Sequence, residues 1–226
     1  MGKVRDLSAE PRTPLTRERV LDTAVSLADE GGIESLSMRR LAHELGVEAM
    51  SLYNHVANKQ AILDGMVDAF VDEIEEPSSG TDWKTAIRHK AMSARDALLR
   101  HPWAAGVIAT RTGMSPTMVK YFDSGIGVLL DGGFSADLAH QAVHALGSRF
   151  FGFTQDLLNP KDEGGEEIPR LRIQQMAGEY PNLAEMMMAA MRDDDSIVGL
   201  GCDDQAEFEF GLDLILDGLE RVRDET

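Results

Sequence analysis

Residues 37–56 read Ser-Met-Arg-Arg-Leu-Ala-His-Glu-Leu-Gly-Val-Glu-Ala-Met-Ser-Leu-Tyr-Asn-His-Val. The stretch predicts a helix, a glycine turn and a second helix. Ser37 can cap a helix over 38–45, and Gly46 stands just past its end, where a left-handed residue lets two helices cross. A second short helix is expected over 48–55, with Ala42, Val47, Leu52 and Val56 as packing positions. That leaves Ala49, Met50, Ser51 and Asn54 on its open side, small or polar groups able to approach base edges in a major groove. Arg39 and Arg40 open the preceding helix, and because a bidentate arginine on guanine is the commonest specific contact, one of them is a candidate reader. Tyr53, His55 and Lys59 surround the end of the element and suit phosphate contacts, which fix register without carrying sequence information. Against this stand Glu44 and Glu48, which repel phosphates, and the fact that two helices joined at a glycine also occur in proteins that bind nothing.

Outward from this hairpin the pattern stays helical. Thr16 can cap a helix over 17–30 with Val20, Ala24, Leu27 and Ala28 as its apolar stripe, and Gly31-Gly32 stops it. Asn58 can cap a longer helix to about 75, with Ile62, Leu63, Met66, Phe70 and Ile74 on one side. Glu76-Pro77-Ser78-Ser79-Gly80 is the best interruption in the chain. Beyond it, helices are expected over 82–100, from Pro102 onward, and over 116–130, 135–158, 181–192 and 204–223. No stretch alternates with period 2 between turn signals, so the fold class is all-α. The expected organisation is a basic arm over 1–15, a three-helix helix-turn-helix domain over 16–76, and a larger helical domain over 77–226.

Charge divides along the same line. The chain has 226 residues and a formal charge of −17. Residues 1–60 hold 8 basic and 9 acidic side chains, whereas 61–226 hold 14 and 30. The repulsion of nucleic acid that so acidic a chain implies therefore belongs to its later part. Cys202 is the single cysteine, which excludes an intrachain disulfide or a Cys-based zinc site and fits a reducing cytoplasm. No apolar run approaches the roughly 20 residues of a membrane span, and the polar start is unlike a signal peptide.

The run Leu52-Tyr53-Asn54-His55-Val56-Ala57-Asn58-Lys59-Gln60-Ala61-Ile62-Leu63-Asp64 resembles the signature of TetR-family transcriptional regulators. Phe210-Gly211-Leu212-Asp213-Leu214-Ile215-Leu216-Asp217-Gly218-Leu219-Glu220 is similar to the last helix of the tetracycline repressor subgroup, and Ala91-Met92-Ser93 with Ala97-Leu98-Leu99-Arg100 to its fifth. The resemblance implies a homodimer with two DNA heads and a ligand pocket in each larger domain. It implies that Arg39 reads a guanine and that Met38, Tyr53, His55 and Lys59 meet phosphates, with Arg40 beside them. It also implies that the dimer is a four-helix bundle. Two helices carry matching stripes: Val143, Leu146, Phe150 and Phe153 on one, and Phe208, Leu212, Ile215 and Leu219 on the other. Such stripes serve equally as intrachain core. Gly211 and Gly218 would allow close backbone approach.

For the ligand, Trp103, Met114, Phe122, His140, His144, Phe151, Gln155 and Met187 form a mostly apolar set with a few polar anchors, joined in sequence or helical phase by His101 and Arg111. The subgroup's metal-binding histidine aligns with about Ile108, its drug-site asparagine with Lys90 and a phenylalanine with Ala94. A magnesium-drug chelate is thus not carried over, and no cofactor or metal is expected. His140 and His144, four apart, make only half a metal site, and the acidic runs at 162–167 and 193–195 lack the spacing of a calcium loop. No phosphate loop, nucleophile elbow, metalloprotease motif or dinucleotide fingerprint points to an enzyme. The expected function is an effector-released repressor on a pseudo-palindromic operator. The alternative is a ligand-binding dimer that activates or does not bind DNA.

Overall fold

A computed structural model of the chain describes residues 14–152, 174–175, 177–190 and 204–225. Among them are ten α-helices and no strand. They are α1 (Arg17–Gly31), α2 (Met38–Leu45), α3 (Ala49–Leu52), α4 (Lys59–Asp72), α5 (Trp83–Arg100), α6 (Trp103–Ala109), α7 (Pro116–Asp131), α8 (Ala136–Gly152), α9 (Pro181–Ala190) and α10 (Asp204–Asp224). The side chains of Phe150, Phe151 and Met187, and the whole of Phe153, Gln155, Cys202 and both acidic runs, lie outside the described residues.

The caps fall where short polar side chains stand. Thr16, Ser37 and Asn58 each accept the N–H three residues on, from Arg19 at 3.1 Å, Arg40 at 3.2 Å and Ala61 at 2.9 Å. Gly46 is left-handed at φ 66°, ψ 34°, as a turn between crossed helices needs. The second helix of the hairpin is shorter than its expected 48–55: α3 ends at Leu52 and the chain turns through 53–55. Nothing caps it with a side chain, since Glu48 makes no capping bond.

The chain forms two compact units, 14–79 with 89–125, and 80–88 with 126 onward. Helices α5 and α7 are each shared between these units. In the first unit, Val20, Ala24 and Leu27 of α1 are buried with Leu41 and Leu45 of α2, Leu52, and Ile62, Met66 and Phe70 of α4. A methyl group at Gly65 would meet the Leu21 Cδ atoms at 2.7 Å, so α1 and α4 approach closely there and a larger residue would make Leu21 shift. In the second unit, Trp83 stacks edge-on to Phe134 at 4.7 Å, and α8 packs on α10. Lys84 pairs with Asp217 and Glu220, and Arg88 with Glu209 and Asp213, tying the first turns of α5 to α10.

That packing covers part of the expected dimer stripe within one chain. Phe208, Leu212 and Leu219 are buried within a single chain, while Val143, Leu146 and Ile215 are half-buried. The heptad-like spacing marks the inner face. The outer face of α10 is apolar too: Phe210 is 67% and Leu214 57% exposed. Gly211 does not receive a backbone either. It makes room for Arg149, whose guanidinium lies over Phe208 and donates to the Glu207 carbonyl at 2.6 Å.

Candidate functional site

Residues 37–59 form one surface of the first unit. The buried set Leu41, Ala42, Leu45, Leu52 and Val56 turns the remaining side chains outward. Met50 is 75% exposed, and Arg39, Arg40, Tyr53 and Asn54 are exposed as well. Ala49, Ser51, His55 and Met38 are half-buried. The structure therefore brings together all five expected base-facing residues and four of the five phosphate candidates around one glycine turn. Lys59 adjoins them, but its ammonium donates to the Leu36 carbonyl at 2.8 Å. Lysine has three N–H donors, so this bond steers the side chain and leaves two for other acceptors.

Three residues near the expected pocket instead grip the DNA-side helices. His101 Nδ1 lies 2.8 Å from Asp29 of α1 and its Nε2 lies 3.1 Å from Glu73, just past α4. Trp103 donates its indole N–H to the same Asp29 at 2.7 Å and is buried, so it is committed to α1 rather than open to a ligand. Arg111, just past α6, pairs with Asp64 of α4, and Arg100 with Glu73 at 2.7 Å. Helix α6 is thus bracketed onto α1 and α4 by polar bonds at both ends. A lone histidine and a lone tryptophan carry no pattern that names their partners 72 and 74 residues away.

The other pocket candidates are scattered. Met114 is exposed, and Phe122 is half-buried against Tyr121 at 5.6 Å. In the second unit His140 and His144 meet edge to face at 4.6 Å and are both exposed. No group of three or more metal-ligating side chains occurs among the described residues. Lys90, aligned with the subgroup's asparagine, is buried and bonded to Glu76 and Ser124. Burial, with the charge of Glu76, pushes the Tyr121 phenol beside it up to about 12.

Comparison with known proteins agrees with this geometry. The family described as bacterial regulatory proteins, tetR family, matches residues 20–66, and the tetracyclin repressor-like C-terminal domain matches 76–223. Tetracycline repressor protein class C of Escherichia coli is 34% identical over 92% of both chains. The transcriptional repressor DrrR1 of Streptomyces coeruleorubidus is 30% identical over 94% of this chain and 80% of its own. The solved Streptomyces coelicolor protein ActR, in complex with actinorhodin, superposes with TM-score 0.70 at 27% identity over 93% of this chain and 99% of its own. No described helix is long and apolar enough to cross a membrane. With both halves matched and the helix-turn-helix in place, the chain belongs to the TetR family of bacterial transcriptional regulators.

Proposed function

We propose that the chain is a ligand-responsive repressor, a homodimer that binds a pseudo-palindromic operator and leaves it when a small, mostly apolar effector binds. The observation that carries this reading is the left-handed turn at Gly46, which buries one face of the hairpin and presents Arg39, Met50 and Asn54 outward. In this reading Arg39, Ala49, Met50, Ser51 and Asn54 face bases, and Met38, Arg40, Tyr53, His55 and Lys59 face phosphates. Dimerisation uses the exposed side of α10, Phe210 and Leu214, with the exposed His140 and His144 side of α8, since Phe208, Leu212 and Leu219 are buried within the chain. Two heads on a two-fold axis then read two half-sites.

Relatives named as repressors, and a neighbour solved with actinorhodin, support the repressor and small-molecule parts of the reading. The brackets at His101, Trp103 and Arg111 give a route for release. A change at α6 is felt by α1 and α4, which carry the hairpin. A ligand shifts the balance if it binds the DNA-incompetent arrangement more tightly, and about 1–3 kcal/mol of such coupling weakens operator binding about 5- to 150-fold. Ile108 at the aligned metal position gives no imidazole, so magnesium with tetracycline leaves operator binding unchanged.

Sequencing of DNA fragments recovered with the protein from genomic DNA tests the reading. Enriched fragments should share an inverted repeat with half-sites one helical turn or a multiple of it apart. Recovery of fragments without a common motif overturns it.

A further inference from the structure

A buried cation in the first unit is neutralised by a carboxylate that is half in water. The Lys90 side chain is 5% exposed, whereas that of Glu76 is 51% exposed. Lys90 Nζ donates to Glu76 Oε1 at 2.8 Å and to Ser124 Oγ at 3.2 Å, and Ser124 Oγ donates to Glu76 Oε2 at 2.6 Å. Each carboxylate oxygen therefore has its own donor. The ammonium also lies 4.3 Å from the centre of the Tyr121 ring. Burial alone would raise the Glu76 carboxyl, but the bonds and charge of Lys90 and Ser124 hold it below its ordinary value. The lysine and serine project from α5 and α7, while the glutamate comes from the non-helical segment that follows α4. That segment is also fastened by Glu75, whose N–H donates to Ser93 Oγ at 2.8 Å.

We propose that Lys90, Ser124 and the Tyr121 face form a carboxylate-binding subsite that the chain's own Glu76 fills when no effector is bound. The effector is accordingly an acid: an apolar or aromatic body with one carboxylate that displaces Glu76. The inference rests on the ligand-responsive reading above and names the chemistry of the ligand. The asymmetry of burial is the reason. A buried ammonium must keep a counter-charge, because leaving it unpaired is strongly unfavourable. A neutral ligand that expelled Glu76 would strand Lys90, whereas a carboxylate restores the same charge-assisted bonds. Its apolar body adds burial that the glutamate side chain lacks. Glu76 is already half hydrated, so its release into water costs less than that of a buried group. Displacing it frees the segment at the C-terminal end of α4, the helix whose other end adjoins the hairpin. Ligand capture and loosening of the DNA-side helix are then one event.

The test uses the full chain and its Glu76→Ala variant, which empties the subsite, with Glu76→Gln as a variant that keeps the volume. Acetate, acetamide and chloride at equal concentration are compared by thermal midpoint, and benzoate and benzamide by calorimetry. Acetate alone should raise the midpoint of Glu76→Ala towards that of the wild type. Benzoate should bind Glu76→Ala about tenfold or more tightly than the wild type, with Glu76→Gln in between, because one charge-assisted bond corresponds to at least that factor. Benzamide should not discriminate, and the double variant Glu76→Ala, Lys90→Met should lose the preference for the acid. If acids and their amides act alike on Glu76→Ala, the subsite does not exist. Neither readout involves DNA. A protein that binds its operator yet shows no preference for acids sinks this inference alone, and one that prefers acids yet ignores DNA sinks the repressor reading alone.

Discussion

The helix-turn-helix and the last helix both carry apolar residues at helical spacing, and they use them in opposite ways. In the hairpin the apolar set Leu41, Leu45, Leu52 and Val56 is the core, and what remains outside is mostly polar. Finding the core there finds the functional surface by subtraction. Helix α10 is apolar on two sides, with Phe208, Leu212 and Leu216 inside and Phe210 and Leu214 outside. Periodicity identifies a stripe on such a helix but does not say whether the stripe meets its own chain or another. Spacing decides function only where one face is hydrophilic.

The sharpest way to break this comparison is to truncate each stripe. Phe208→Ala should destabilise the fold by about 3–5 kcal/mol in urea unfolding, through lost burial and a cavity. Phe210→Glu with Leu214→Glu should leave the protomer folded and give a monomer by light scattering. A dimer that survives this double change places the contact elsewhere. On the hairpin side, Arg39→Ala should lower operator affinity by about 1–3 kcal/mol and relax one base position, measured by anisotropy across a set of single-base variants. A uniform loss at every position would make Arg39 a phosphate contact instead.

His101→Phe probes the bracket between the hairpin's supporting helices and α6. It fills the same space, so the loss is that of bonds to Asp29 and Glu73. Both carboxylates reach water, with side chains 28% and 40% exposed, so the expected destabilisation is about 1–2 kcal/mol rather than that of a fully buried pair. An unchanged midpoint would mean the bracket is not holding these helices. Gly46→Ala should lose about 1 kcal/mol, because a side chain at φ 66° is strained although nothing lies within 4 Å of the added methyl.

The smallest effect concerns acid. Glu76 has its folded carboxyl lowered below its ordinary value of 4.5, by Lys90 and Ser124 against burial. A lowered carboxyl contributes stability that is present above the ordinary value and lost as pH falls through the lowered one. The stability difference between wild type and Glu76→Gln should thus be constant at neutral pH and shrink below pH 4.5, as followed by thermal midpoints.

Much of the fold was legible in the sequence because local signals mark it. Thr16, Ser37 and Asn58 are caps by chemistry, and Gly46 is a turn by sterics, so α1, α2 and α4 start where expected, while the uncapped α3 ends early at Leu52. The exposure of Arg39, Met50 and Asn54 follows from the same local logic. What escaped depends on distant pairing. Trp103 and His101 looked like ligand contacts because they are an aromatic and a polar side chain in a methionine-rich region, and only the fold shows Asp29 meeting both. The bonds of Lys90 to Glu76 and Ser124 likewise join residues 14 and 34 apart across two helices and a linker.

The most direct test of the repressor reading is an anisotropy titration. A duplex from the enriched operator and a shuffled duplex of the same composition are compared at rising salt. The chain should bind the operator as two protomers per site and hold it about 10³-fold or more tightly than the shuffled duplex at physiological salt. Lys59→Ala should flatten the salt slope by about one unit on both duplexes. Equal affinity for the two duplexes at every salt concentration would contradict sequence-specific DNA binding by residues 37–59.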